Sequence, residues 1–185
     1  MRPLLSTVGL AILLSSCQLF APGQADFAAA LEQMNGPEGD RTWHADSASA
    51  DELAAIHHHL DAAIDAGHTG ALHAKAVVVW QTDGLLAAEP VWRQLAETDD
   101  HAWGMVAYIA SARPALEAGV RVRDLPPGRQ LDWLDTAAEV AVLREGAASG
   151  SATADSLLRA RFDVLRGQRA AGNADADSLL TLLDA

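Results

Sequence analysis

The stretch at 69–82, "TGALHAKAVVVWQT", decides how the chain is read. Its centre, Ala76-Val77-Val78-Val79-Trp80, has the β-branched and aromatic composition of a buried strand and is apolar throughout. A strand needs a neighbour, because a backbone N–H or C=O left unpaired away from water costs about as much as a lost hydrogen bond. No obvious partner strand accompanies this run, so the stretch is assigned to a helix. Residues 76–80 are where helix and strand compete most closely.

Outward from this segment the pattern is helical. Ser49 or Asp51 is placed to cap a helix in which Leu53, Ile56, Leu60 and Ile64 follow the 3.6-residue repeat, and Gly67 stops it. After the turn at Asp83-Gly84, Pro90 stands as the first helical residue for 91–97. Trp103, Val106, Ala107 and Ala110 form one stripe of a helix over 101–112, which Pro114 ends or kinks. Asp99 and Asp100 suit the N-terminus of that helix by their charge.

The run 124–128, "DLPPG", is a break, and 129–145 carries Leu131, Leu134, Ala138 and Val142 at helical spacing. Residues 146–151 read as a flexible link. Thr153 caps a helix that turns Leu158, Phe162 and Leu165 inward, Gly172-Asn173 ends it, and 174–183 makes a closing helix. The expected fold is all-α, a compact bundle or short helical-hairpin array of six or seven helices.

At an offset of 33, residues 62–77 overlay 95–110, with Ala63 on Ala96, His68 on His101 and Ala74 on Ala107. The stretch weakly resembles Sel1 or tetratricopeptide-type repeats. It lacks their regular Gly and aromatic positions and has no third copy after Arg129, and so alanine-rich a chain gives such overlays by chance.

Composition bounds the partners. Half of the chain is apolar, enough for a core, but with only three Phe and one Tyr the core rests on Ala and Leu. The formal net charge of −12 repels phosphate backbones and anionic headgroups, which argues against nucleic acid and against electrostatic membrane docking. Lys75 is the sole lysine.

The first residues read as a targeting segment. Arg2 supplies a positive charge, Leu4 opens a short apolar run, and Ser15-Ser16 are small. The run is too short to span a bilayer, which takes about 20 apolar residues. It ends in Leu14-Ser15-Ser16-Cys17, which resembles the lipobox of bacterial lipoproteins. That resemblance implies a diacylglyceryl thioether on Cys17, cleavage before it, and acylation of the new amine.

Each buried methylene contributes about 0.8 kcal/mol, so several chains anchor stably where one does not. Gln18 in place of Asp implies, by the same resemblance, export to the outer membrane with the body facing the periplasm. The lipid then claims the only cysteine, leaving no disulfide.

The organisation expected is a signal peptide over 1–16, a lipidated tether over 17–49 and a helical domain over 50–185. The tether carries Pro22, Gly23, Gly36, Pro37 and Gly39, with 26–34 able to form one helix.

Candidate chemistry is sparse. In "HHHLD" (57–61), three consecutive histidines splay around a helix. His57 falls at the core edge, while His58 and His59 point progressively away. His57 and Asp61, one turn apart, form a metal site only if His68 or His73 folds back to complete it. The favoured reading gives these residues no metal and no catalytic role.

There is no Gly-x-Ser-x-Gly elbow, no phosphate loop and no Cys-x-x-Cys-His signature. Carboxylate runs such as Glu97-Thr98-Asp99-Asp100 read as solvated helix ends. Of the five tryptophans, Trp43 in the polar N-terminal segment is the candidate for an exposed contact, and the others read as core.

The expectation is therefore a non-enzymatic, cofactor-free, lipid-anchored periplasmic protein. It acts by contact with a protein partner, in the manner of an envelope assembly factor. The alternative is a metal-binding or enzymatic lipoprotein using the His57-Asp61-His68 region.

Overall fold

The computed structural model describes residues 21–35, 48–126, 129 and 131–184. It is all-α: the described residues form eight α-helices and two short 3₁₀ turns, with no strand. The competing segment 76–80 lies inside a helix, as the missing strand partner predicts. The chain divides into two compact units between Thr82 and Asp83.

The first unit holds α1 (Gln24–Asn35), α2 (Ala50–Asp65) and α3 (Thr69–Asp83). Ser49 caps α2 through a reciprocal capping box. Its Oγ accepts the Glu52 N–H at 3.2 Å, and the Glu52 carboxylate accepts the Ser49 N–H at 2.7 Å. Gly67, at φ 85°, turns the chain out of α2.

Ile56, Leu60 and Ala63 of α2 meet Ala30 and Met34 of α1 and Ala71 and Val78 of α3 in one fully enclosed cluster. Burying a side chain the size of Leu60 or Ile56 contributes about 1.5–3 kcal/mol. Helix α1 lies in the stretch read as a tether, yet Ala30 is wholly buried and Phe27 packs against the same cluster. Gly23 makes that docking possible. A Cβ there would sit 2.6 Å from the Ala63 carbonyl oxygen, and its φ of 72° is one that L side chains avoid.

The second unit contains α4 (Leu85–Ala96), α5 (Ala102–Glu117), α6 (Thr136–Ala148), α7 (Ala152–Ala170) and α8 (Ala174–Asp184). Close pairs run α4–α5, α5–α6, α6–α7 and α7–α8. Ile109, Val106, Val140 and Leu143 are among its largest fully buried side chains. Val140, Leu165, Ala176, Leu180 and Leu183 gather under α7 and α8, flanked by Leu158 and Phe162 as their spacing predicts.

Several boundaries differ from expectation. Helix α4 begins at Leu85, so Pro90 lies inside it; the ring removes only the N–H that would reach Leu86, near the helix start. Helix α5 runs through Pro114 to Glu117. Helix α6 begins at Thr136, where the Asp135 side chain accepts the Ala138 N–H at 2.9 Å, and residues 131–133 form a 3₁₀ turn.

Ser151, not Thr153, caps α7, accepting the Ala154 N–H at 2.9 Å. Gly146, read as part of a flexible link, is a buried residue of α6. The overlaid stretches 62–77 and 95–110 each cover a helix end, a turn and the next helix. Helices α4 and α5 pack closely, whereas α2 and α3 stand further apart.

Candidate functional site

Helix α1 decides where two of the candidate histidines go. His57 is half-buried and His58 exposed, in line with the helical stripe. His59 turns back toward α1, where its Nδ1 lies 3.3 Å from the Asp26 carboxylate. His68 stacks on Phe27 with ring centroids 4.2 Å apart, and its Nε2 is 3.1 Å from Gln24 Oε1. Asp61 accepts a hydrogen bond from Lys75.

Asp61 and His68 are thus engaged with different partners, and His73 is exposed on α3. Among the described residues no three His, Cys, Asp or Glu side chains converge to hold a metal ion. Sequence reading missed this α1–α2 pairing because the expected tether hid a docking helix.

Carboxylates in the second unit serve the helix ends and seams. Asp99 accepts the His101 N–H at 3.0 Å, at the start of α5 as its charge predicts. Asp100 instead crosses to α7, where it accepts the Thr153 N–H at 2.8 Å. The Ser151 and Thr153 hydroxyls and that N–H hold the Asp100 carboxyl below the ordinary carboxylate value of 3.8.

Glu89, nearly buried, joins Arg93 of its own helix to Arg113 of α5. Burial alone would lower the Arg93 pKa, but the carboxylates of Glu89 and Glu145 outweigh it and raise the value.

The surface feature that structural bookkeeping does not absorb lies between α5 and α7. These two helices touch only lightly, while α6 packs closely on both, so a groove of about 460 Å³ opens above α6. Helix α5 contributes Gly104, Ala107, Tyr108 and Ser111, a stripe at i, i+3, i+4 and i+7. Helix α7 contributes Leu157, Ala160, Arg161 and Val164 at the same spacing, and Leu143 forms part of the floor.

Tyr108 is 52% exposed, Val164 50% and Leu157 41%, so among the described residues three of the five exposed large hydrophobics border this one groove. Scattered apolar residues need no explanation, whereas these three gather on one groove and make it the candidate contact surface. The charged groups inside cancel: Arg161 donates to Glu139 from Nε at 3.0 Å and from Nη2 at 2.6 Å. With that pair satisfied internally, the rest of the groove presents mainly apolar and small side chains.

Trp92 and Trp103 are buried, whereas Trp80 is 43% exposed and Trp133 half-buried, so the tryptophans are not uniformly core. Cys17 and its lipobox, and Trp43, lie outside the described residues. No described helix is long and apolar enough to cross a membrane. Comparison with protein-family models, with curated proteins and with solved structures gives no match for the chain.

Proposed function

We propose that the protein is a lipoprotein of the bacterial cell envelope, lipidated at Cys17 and held at the periplasmic side of the outer membrane. There it acts through contact with another protein, as an assembly factor for envelope machinery. The observation that carries the contact is the α5–α7 groove, where Tyr108, Leu157 and Val164 remain in solvent on walls that also carry small residues. The address rests on the sequence, on Leu14-Ser15-Ser16-Cys17 followed by Gln18. The acidic net charge favours a protein partner over nucleic acid.

A photoreactive amino acid placed at Tyr108 and irradiated in intact cells tests the contact. A discrete adduct with another envelope protein is expected there. None is expected from Arg159, a 76% exposed position between Leu157 and Ala160 in sequence but not among the groove's lining residues. Equal adducts at both positions, or none at Tyr108, would remove the groove as the contact surface.

A further inference from the structure

Resting on the reading of Cys17 as the lipidated residue, we infer that the short connection from the lipid orients the first unit. The unit meets the bilayer through the turn between α2 and α3, residues 66–70, with the start of α2 pointing away from it.

Reach selects the turn. Helix α1 lies antiparallel to α2: Gly23 seats against the Ala63 carbonyl, Asp26 faces His59 at 3.3 Å, and Phe27 stacks on His68. The chain therefore arrives from Cys17 at the turn end of α2, and α1 carries it back toward Ser49. Six residue steps separate Cys17 from Gly23. Fully extended, they reach less far than α2 is long, about 24 Å for its 16 residues at 1.5 Å each. The turn can rest on the headgroups, whereas the start of α2 reaches them only if the unit lies flat.

Charge disfavours lying flat. At the turn end the residues of 66–70 are small except for His68, whose ring is turned inward against Phe27. The carboxylates there are largely answered. Asp61 accepts a hydrogen bond from Lys75, the sole lysine, and Asp26 faces His59, which leaves Asp65. Exposed Glu32 and Asp51, with Glu52 next in sequence, lie toward the other end. An anionic headgroup layer repels that end more strongly. The lipid supplies the attachment, and the charges choose which end faces it.

The test uses the full chain, purified with its acyl groups and reconstituted into vesicles of phosphatidylethanolamine and phosphatidylglycerol. A trace of the phosphatidylethanolamine is radiolabelled. A photoreactive amino acid replaces Thr69 or Ala50, both exposed. Irradiation is expected to leave at least about fivefold more lipid label on the Thr69 variant, since the two positions stand a helix length apart. A flexible Gly/Ser insert of about 20 residues after Gln18 leaves every described residue in place and frees the unit to turn. It should bring the two labels to within about twofold of each other.

An acylated chain labelled equally at both positions, or more at Ala50, would overturn the orientation and leave the lipoprotein reading standing. A Thr69 preference that the insert does not reduce would overturn it too, because the short connection would not be its cause. A chain with no acyl group on Cys17 would overturn the inference together with the address on which it rests.

Discussion

The carboxylate of Asp100, in the turn before α5, accepts the backbone N–H of Thr153 in the first turn of α7 at 2.8 Å. The four N–H groups that open a helix have no partner within it. Here Ser151 satisfies one locally and Asp100 satisfies another from more than fifty residues away.

This bond sets a pH dependence. The folded-state pKa of Asp100 is depressed, first by the Ser151 hydroxyl and then by the Thr153 hydroxyl and N–H. Its contribution to stability is therefore present above the ordinary value of 3.8 and is lost as pH falls through the lower folded value. Asp100→Asn should melt below the parent chain at neutral pH. The gap should close under strongly acidic conditions. A gap of constant size across that range would disprove the linkage.

Gly146 makes a second, sharper claim. A Cβ there would stand 2.6 Å from the Ala154 Cβ and 2.7 Å from Trp103 Cδ2, at the point where α5, α6 and α7 meet. Gly146→Ala should cost about 1–3 kcal/mol in urea unfolding, through overpacking. Gly167→Ala is the control. Nothing lies within 4 Å of that position, and it should be neutral or stabilising by up to about 1 kcal/mol.

Glu89 tests the α4–α5 seam. Its side chain is 14% exposed and serves both Arg93 and Arg113. Glu89→Ala leaves two half-exposed guanidinium groups short of an acceptor, and about 1–3 kcal/mol of stability should go with it. Glu117→Ala, whose carboxylate lies 3.8 Å from Arg113 at an exposed position, should cost less than about 1 kcal/mol. Equal losses would mean that the burial of Glu89 is immaterial.

The anchoring proposal stands on Cys17 alone. Cys17→Ser should abolish incorporation of a fatty-acid analogue and block processing of the leader. Label that persists undiminished on the serine variant would rule out the thioether.

Much of the helical framework was legible because its signals are local. Ser49 with Glu52 three residues on, Gly67 after Ile64, and Asn173 before 174–183 each mark a helix end by chemistry contained in one turn. The errors came where a distant residue decides. Gly146 reads as a breaker until Trp103 is packed against it. Thr153 and Ser151 are equivalent caps until the chain chooses which one stays extended.

By sequence proximity Asp100 belongs with α5, and only the folded chain brings it to α7. The groove was the least legible of all. Leu157 and Val164 border the inward stripe of Leu158, Phe162 and Leu165, and no local pattern says that the α5 side opposite them stays uncovered.

The seating of Gly23 against the Ala63 carbonyl has a consequence for reach. With the body pinned at that glycine, a lipid on Cys17 would be joined to the first unit by a leash spanning at most about 22 Å, against about 115 Å had the free chain run to Ser49. On so short a leash the first unit would stay close to the bilayer surface.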